Sequence, residues 1–197
     1  MLAHDTPRKY STLATLAAAW VCAIAACGAP PAPSAPARTA AAEPLNIGPA
    51  AADTVGGWLP DGTTLSPSEV DDPIVGWLDP ALLEAVQEAS RAAAAAGIEM
   101  RITSGWRSKG FQQRLFDDGV QKYGSVDAAR EFVASPETSK HVSGQAVDIA
   151  PVEADKWLIA EGLKFGLCQV YANEIWHFEL AAVDGRCPPL KPNAATG

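Results

Sequence analysis

The decapeptide Ser139–Asp148, SKHVSGQAVD, restricts the possible folds of this 197-residue chain more than any other segment. Its two potential metal ligands, His141 and Asp148, are separated by seven positions. Ligands on one face of a helix are three or four positions apart, and residues on one face of a strand are an even number apart. The two side chains can therefore meet only if the chain turns between them, and Gly144 permits a sharp turn.

The residues that follow this turn, Gln145–Ile149, have the alternating pattern of a β-strand. Alternation places Val147 and Ile149 on an apolar face that suits a hydrophobic core. The carboxylate of Asp148 then lies on the opposite face of the strand. We expect His141 to fold back over that second face.

A second strand is predicted at residues 175–180, within the sequence EIWHFEL. Alternation again separates two faces of the strand. The predicted core face holds Trp176, Phe178 and Leu180, and the predicted opposite face holds Ile175, His177 and Glu179.

If the two strands are neighbours, His177 approaches Asp148 and His141. Two neutral imidazoles and one carboxylate with an open fourth position are typical of a catalytic zinc site. The third histidine of the chain, His4, lies far away at the N-terminus. Each residue alone also has a structural alternative: a hydrogen-bonded histidine on a sheet, an aspartate that caps a turn or, at Glu174, a solvated loop residue. The combination favours one zinc ion per chain.

The surrounding pattern predicts an α+β domain. Asp79 and Pro80 are an N-cap followed by proline at the first helical position, and Gly97 ends that helix. Helices that precede most of the strands indicate helices packed on a small, mostly antiparallel sheet carrying the zinc site. The other predicted elements are helices at residues 109–123, 126–133 and 153–165 and strands at residues 98–103 and 167–171.

The first 26 residues are typical of a signal peptide. Arg8 and Lys9 precede an apolar run of 14 residues, which is short for a bilayer span. The run ends in IAAC, which resembles the lipobox of bacterial lipoproteins. We therefore expect export, lipidation of Cys27 and a membrane-anchored lipoprotein in the cell envelope, facing the periplasm or cell wall. The alternative is cleavage after a small residue with Cys27 unmodified.

Composition divides the remainder of the chain into four segments. Residues 27–53 are rich in proline and alanine and are predicted to form a tether. Residues 54–78 are an irregular lead-in that packs on the domain, residues 79–187 are the domain, and residues 188–197 are a flexible tail. A net charge of −8 without a basic patch argues against nucleic acid as a partner. We expect a monomer.

Two of the four cysteines, Cys168 and Cys187, lie beyond the N-terminal segment. Outside the cytoplasm, such a pair favours a disulfide. The alternative is two buried free thiols. A zinc site built on these cysteines is disfavoured because the chain has no CxxC pair.

Three motifs, taken in order, resemble those of one family. Residues 139–148 fit the pattern S-x-H-x-x-G-x-A-x-D, and residues 174–177 fit E-x-W-H. Upstream, Ser104–Ser108, SGWRS, followed by Gln112 is similar to S-G-Y/W-R-S…Q. Over about residues 79–182 the chain thus resembles the VanY-type D-alanyl-D-alanine carboxypeptidases, zinc peptidases that trim peptidoglycan stem peptides.

The resemblance implies roles for eight residues. Because Glu174 and His177 cannot share a face of a flat strand, Glu174 must lie on the bend before it, close to the metal without ligating it. Glu179 shares a face with His177 and is the alternative base. For Arg107, the alternative is a salt bridge with one of the acidic residues. The implied zinc ligands are His141, Asp148 and His177, the catalytic base is Glu174, and substrate contacts come from Arg107, Ser104, Ser108 and Gln112, with Arg107 also acting in catalysis.

The function implied by the resemblance is hydrolysis of the terminal D-alanyl-D-alanine bond of peptidoglycan stem peptides. Ile175 stands where the family often has proline, and this departure leaves the implied site residues in place. One alternative is a D,D-dipeptidase, or an L,D- or endo-acting cell-wall peptidase, with the same site. The other is a non-catalytic cell-wall-binding lipoprotein, which has no need for a base beside the metal.

Overall fold

The computed structural model describes Asp53 and residues 55–196. The predicted signal peptide, Cys27 and nearly all of the predicted tether lie outside these residues. Within the described part of the chain, no helix is both long and apolar enough to cross a membrane.

Five α-helices and four β-strands make up this part of the protein, together with short 3-10 turns at Gly162–Phe165 and Ala194–Thr196. We number the helices and strands in chain order. The helices are α1 (Pro73–Gly76), α2 (Pro80–Ala95), α3 (Lys109–Tyr123), α4 (Val126–Arg130) and α5 (Val152–Glu161), and the strands are β1 (Arg101–Ser104), β2 (Ala146–Ala150), β3 (Leu167–Gln169) and β4 (His177–Leu180).

The four strands form one sheet in the order β1-β2-β4-β3, and each neighbouring pair is antiparallel. The predicted α+β fold with helices on a small antiparallel sheet is therefore confirmed. The register places Asp148 of β2 directly opposite His177 of β4. On the other side of β2, Ser104 of β1 lies opposite the same aspartate. The sheet thus brings three separate sequence motifs to one place.

Helix α2 begins as its sequence predicts. The carboxylate of Asp79 accepts hydrogen bonds from the backbone N–H groups of Ala81 and Leu82, and Pro80 occupies the first turn. Its buried residues recur at three- and four-residue intervals, which directs one face of the helix onto the sheet. These residues are Leu82, Ala85, Val86, Ala89 and Ala93.

The apolar face of the sheet forms the core. Val147 and Ile149 of β2 and Phe178 of β4 are buried there, as alternation predicts. The prediction was wrong for Trp176 and Leu180, which are 44% and 45% exposed. Trp176 lies in the turn before β4, where strand alternation does not apply, and Leu180 is the last residue of the strand.

Several predicted element ends shift by a few residues. The first strand begins at Arg101 and not at residue 98, because the N–H of Ile98 bonds back to the carbonyl of Ala93 and closes α2. Helix α5 ends at Glu161, and a 3-10 turn continues it to Phe165. Within the segment that precedes α2, a short helix, α1, buries two side chains.

The C-terminal segment contacts the domain at two points. Cys187 forms a disulfide with Cys168 of β3. Farther along, Lys191 pairs in parallel with Tyr171, just beyond the end of β3. The backbone beside Tyr171 thus offers hydrogen-bonding groups to this segment that composition does not reveal.

The disulfide can be tested by thiol counting in a Cys22→Ser/Cys27→Ser chain. We expect no free thiols in the unfolded, unreduced protein and two after reduction. The disulfide spans 19 positions. On the chain-entropy model, such a loop contributes roughly 3 kcal/mol, so Cys187→Ser should lower the free energy of unfolding by about that amount. Two free thiols before reduction would contradict the pairing.

Candidate metal centre and active-site cleft

Three buried side chains converge on the polar side of the sheet: His141, Asp148 and His177. The Nδ1 atom of His177 lies 3.2 Å from Oδ1 of Asp148 and 3.3 Å from Nε2 of His141. The third side of this triangle, from His141 Nε2 to Asp148 Oδ1, measures 3.4 Å. With metal–ligand bonds of about 2.1 Å, the ligand atoms of a tetrahedral zinc site lie about 3.4 Å apart. The three donors therefore fit a zinc ion.

The turn after His141 brings this histidine to the strand residues. Gly144 has a φ of +69°, and a Cβ atom there would lie 2.5 Å from the carbonyl oxygen of Trp77. Only glycine fits both the conformation and the space. The carbonyl of His141 accepts hydrogen bonds from the N–H groups of Gly144 and Arg107, which hold the turn in place.

The remote nitrogen of each histidine ring has its own partner. His141 Nδ1 lies 2.8 Å from the carbonyl oxygen of Gly105, and His177 Nε2 lies 3.1 Å from Oε1 of Glu179. Such partners fix the orientation and tautomer of metal-binding histidines. They leave His141 Nε2 and His177 Nδ1 free to face the metal position.

Glu174 and Glu179 occupy different sides of His177. Glu174 lies in the turn before β4, as predicted, with its Oε2 atom 3.9 Å from His177 Nδ1. Its side chain lines the cleft that opens beside the three donors. Glu179 contacts the remote nitrogen of the ring and lines a separate hollow with Asp79 and Leu82. The geometry therefore favours Glu174 as the base and Glu179 as a group that orients His177.

The guanidinium of Arg107 joins the same cluster. Its Nη2 donates to Oδ2 of Asp148 at 2.9 Å, its Nε donates to Ser104 Oγ at 2.8 Å, and its Nη1 donates to Gln112 Oε1 at 3.2 Å. Gln112 is buried and also donates to the carbonyl of Ala134. Ser104 and Gln112 therefore hold Arg107 in position beside the cleft.

Ser108, which the resemblance places with the substrate contacts, has a different position. Its hydroxyl caps α3 by accepting a hydrogen bond from the N–H of Phe111 at 3.0 Å. It is absent from the walls of the cleft, which Arg107 and Gln112 line. The structure thus brings Arg107 and Gln112 to the cleft, places Ser104 behind Arg107, and leaves Ser108 at the start of a helix.

The pKa values of the clustered residues depend strongly on burial and on neighbouring charges. Burial would raise the pKa of Asp148, but His141, His177 and Arg107 hold it well below its ordinary value. Burial would lower the pKa of His177, yet its hydrogen bonds with Asp148 and Glu179 raise it to about 9. Burial lowers the pKa of His141. Because metals bind neutral imidazole, a cation here would replace the proton of His177.

Burial raises the pKa of Glu174 above its ordinary value, and the charge of Asp148 adds to this effect. His177 and Arg107 act in the opposite direction. A carboxylate with a raised pKa is a better proton acceptor near neutral pH than an exposed one. This position therefore suits acid–base chemistry.

The cleft beside the donors has a volume of about 230 Å³ and one apolar wall. Sequence reasoning missed several of its lining residues. Ser139 and Trp176 could have been found, because they belong to the S-x-H and E-x-W-H motifs, whereas the others come from segments without a motif. These others are Leu115, Phe132, Val133, Ala134, Tyr171 and Ala194.

Comparisons with known proteins match the segment of the chain that carries this cluster. Residues 76–182 match the model of the family VanY, D-alanyl-D-alanine carboxypeptidase. A D-alanyl-D-alanine carboxypeptidase of Enterococcus faecalis is 30% identical over 124 residues, which cover 50% of this chain and 46% of that protein. The chain thus spans about half the length of this curated relative.

Two solved structures also align with the chain. A mutant of the vancomycin resistance D,D-pentapeptidase VanY, from a VanB-type resistance cassette and in complex with Zn(II), has 29% identity and a TM-score of 0.48, covering 52% of this chain and 71% of that one. VanYB in complex with D-alanine-D-alanine has 28% identity and a TM-score of 0.49, covering 52% and 70%. Because the family model matches more than half of its length, this chain belongs to the VanY family of D-alanyl-D-alanine carboxypeptidases.

Proposed function

We propose that this protein is a zinc-dependent carboxypeptidase that hydrolyses the terminal D-alanyl-D-alanine bond of peptidoglycan stem peptides. The observation that carries the proposal is the triangle of buried donors, with sides of 3.2, 3.3 and 3.4 Å, beside the carboxylate of Glu174. Family membership supports the choice of bond.

In this proposal, His141, Asp148 and His177 hold one zinc ion per chain. When bound, zinc lowers the pKa of water and polarises a carbonyl group. Glu174 accepts a proton from the attacking water and returns it to the leaving amine, a role for which its raised pKa is suited. Arg107 supplies a fixed positive charge beside the cleft, which stabilises either the negative charge developing at the carbonyl oxygen or the terminal carboxylate of the substrate.

The alternatives to a carboxypeptidase predict different products. The zinc-loaded chain is incubated with a muropentapeptide, and the released fragment is identified by mass spectrometry. Release of D-alanine supports the carboxypeptidase. Release of the dipeptide D-alanyl-D-alanine means that the preceding bond, between an L- and a D-residue, is cleaved, and it indicates an L,D-acting peptidase. An intact pentapeptide together with cleavage of the free dipeptide D-alanyl-D-alanine indicates a D,D-dipeptidase, and no cleavage of either substrate indicates a non-catalytic wall-binding protein.

We also propose that the protein is exported and anchored to the membrane by a lipid on Cys27. Support comes from the 14-residue apolar run and the IAAC sequence at its end. Because no basic patch attracts the chain to anionic lipids, the lipid would be the principal attachment.

The proposed lipid anchor can be tested by cell fractionation of Cys27→Ser. In a bacterial host, the unmodified chain should sediment with membranes after ultracentrifugation, and Cys27→Ser should move to the soluble fraction. Cys22→Ser is the matched control, since it alters a cysteine five positions away. If both variants remain with the membranes, anchoring through Cys27 is wrong.

The metal site predicts a loss of zinc in His177→Ala. This variant lacks one of three donors, so stoichiometric zinc should disappear when metal content is measured by plasma mass spectrometry. Ile175→Ala, an exposed position two residues earlier, should keep its zinc. Full zinc content in His177→Ala would refute the ligand set.

The two glutamates predict unequal effects of substitution by glutamine. Glu174→Gln keeps the shape of the site but loses proton transfer, so turnover should fall by about 10²–10⁴-fold with zinc content unchanged. Glu179→Gln perturbs only the orientation of His177 and should cost roughly 10–100-fold in zinc affinity or activity. Near-normal turnover in Glu174→Gln together with an inactive Glu179→Gln would reverse the assignment.

A further inference from the structure

The last residues of the described chain contribute to the cleft although they lie outside the matched family segment. That segment ends at residue 182. Ala194 nevertheless lines the cleft together with Glu174 and the apolar residues Phe132 and Val133. One wall of the cleft therefore comes from a part of this chain that the family pattern does not describe.

Two attachments hold this part of the chain in place. The disulfide between Cys187 and Cys168 ties it to β3. Farther along, the N–H of Lys191 donates to the carbonyl of Val170 at 2.9 Å, and the carbonyl of Lys191 accepts from the N–H of Ala172 at 2.8 Å. These bonds flank Tyr171, whose ring also lines the cleft.

A short turn then directs Ala194 inward. The side-chain oxygen of Asn193 accepts a hydrogen bond from the N–H of Ala195 at 3.1 Å, and its carbonyl accepts one from the hydroxyl of Thr196 at 2.8 Å. The turn lies against α4, which leads to Phe132 and Val133. Ala194 is partly buried, and its neighbour Ala195 is exposed.

We propose that Ala194, held in place by this turn, is a fixed wall that limits the size of the substrate side chain admitted to the cleft. The proposal rests on the proposed peptidase function. The cleft volume of about 230 Å³ is small, since pockets for drug-sized ligands occupy about 300–1,000 Å³. Together with the apolar residues Phe132 and Val133 that line the same cleft, Ala194 favours a methyl side chain, as in D-alanine, over a larger apolar one.

The first test removes the wall and keeps its attachments. A chain ending at Pro192 loses Ala194 but retains Cys187 and Lys191. The ratio of kcat/KM for a pentapeptide ending in D-alanyl-D-leucine to that for one ending in D-alanyl-D-alanine should rise by about tenfold or more, the scale on which apolar pockets discriminate by size. An unchanged ratio would overturn the proposal.

The second test introduces a large side chain at Ala194, which lines the cleft, and separately at its exposed neighbour Ala195. Ala194→Phe should lower kcat/KM for the D-alanyl-D-alanine pentapeptide by about tenfold or more. Ala195→Phe adds the same side chain on the exposed side and should leave kcat/KM unchanged. Zinc content and the melting temperature show whether each variant is folded. Equal kinetics in the two variants would overturn the proposal.

Binding of the dipeptide D-alanyl-D-alanine, measured by calorimetry, separates this proposal from the peptidase function. If the zinc-loaded chain cleaves no peptide but Ala194→Phe alone weakens dipeptide binding, the wall stands and the peptidase proposal fails. If the chain releases D-alanine but Ala194→Phe changes neither binding nor kcat/KM, the wall fails and the peptidase stands. A chain that neither cleaves peptides nor binds the dipeptide overturns both.

Discussion

The carboxylate of Asp148 is the interaction on which the rest of the site depends. One oxygen faces His141 and His177, and the other accepts a hydrogen bond from Arg107. A buried carboxylate is costly unless it is paired, and here three partners compensate for its loss of water. These contacts of Asp148 connect β2 to β4, to the turn that carries His141 and to the loop that carries Arg107. Residues from three sequence motifs therefore meet at one carboxylate.

The antiparallel register of β2 and β4 then decides what each acidic residue does. With Asp148 opposite His177, the ring of this histidine has one nitrogen in the cluster and the other against Glu179. Glu174, in the turn before the strand, lies on the cleft side. Two glutamates five positions apart thus have different chemical surroundings because one is in a strand and the other is in a turn.

Strong local signals made much of the fold predictable. Asp79 and Pro80 mark the start of α2, and the residues flanking α3 mark both of its ends. Strand ends were less predictable, because they depend on partners distant in sequence. Trp176 shows the reason: alternation places it in the core, but it belongs to a turn and lies at the cleft.

By itself, the sequence determined which residue types could meet: two histidines and an aspartate around a glycine turn, an acid before a strand, and a pair of cysteines. Their spacing also carries the family resemblance. Only the tertiary structure decided which nitrogen of each ring faces the cluster, that Arg107 pairs with Asp148, and that Ala194 lines the cleft. Sequence patterns specify faces and turns, whereas distances between atoms arise from strand register and from contacts between distant segments.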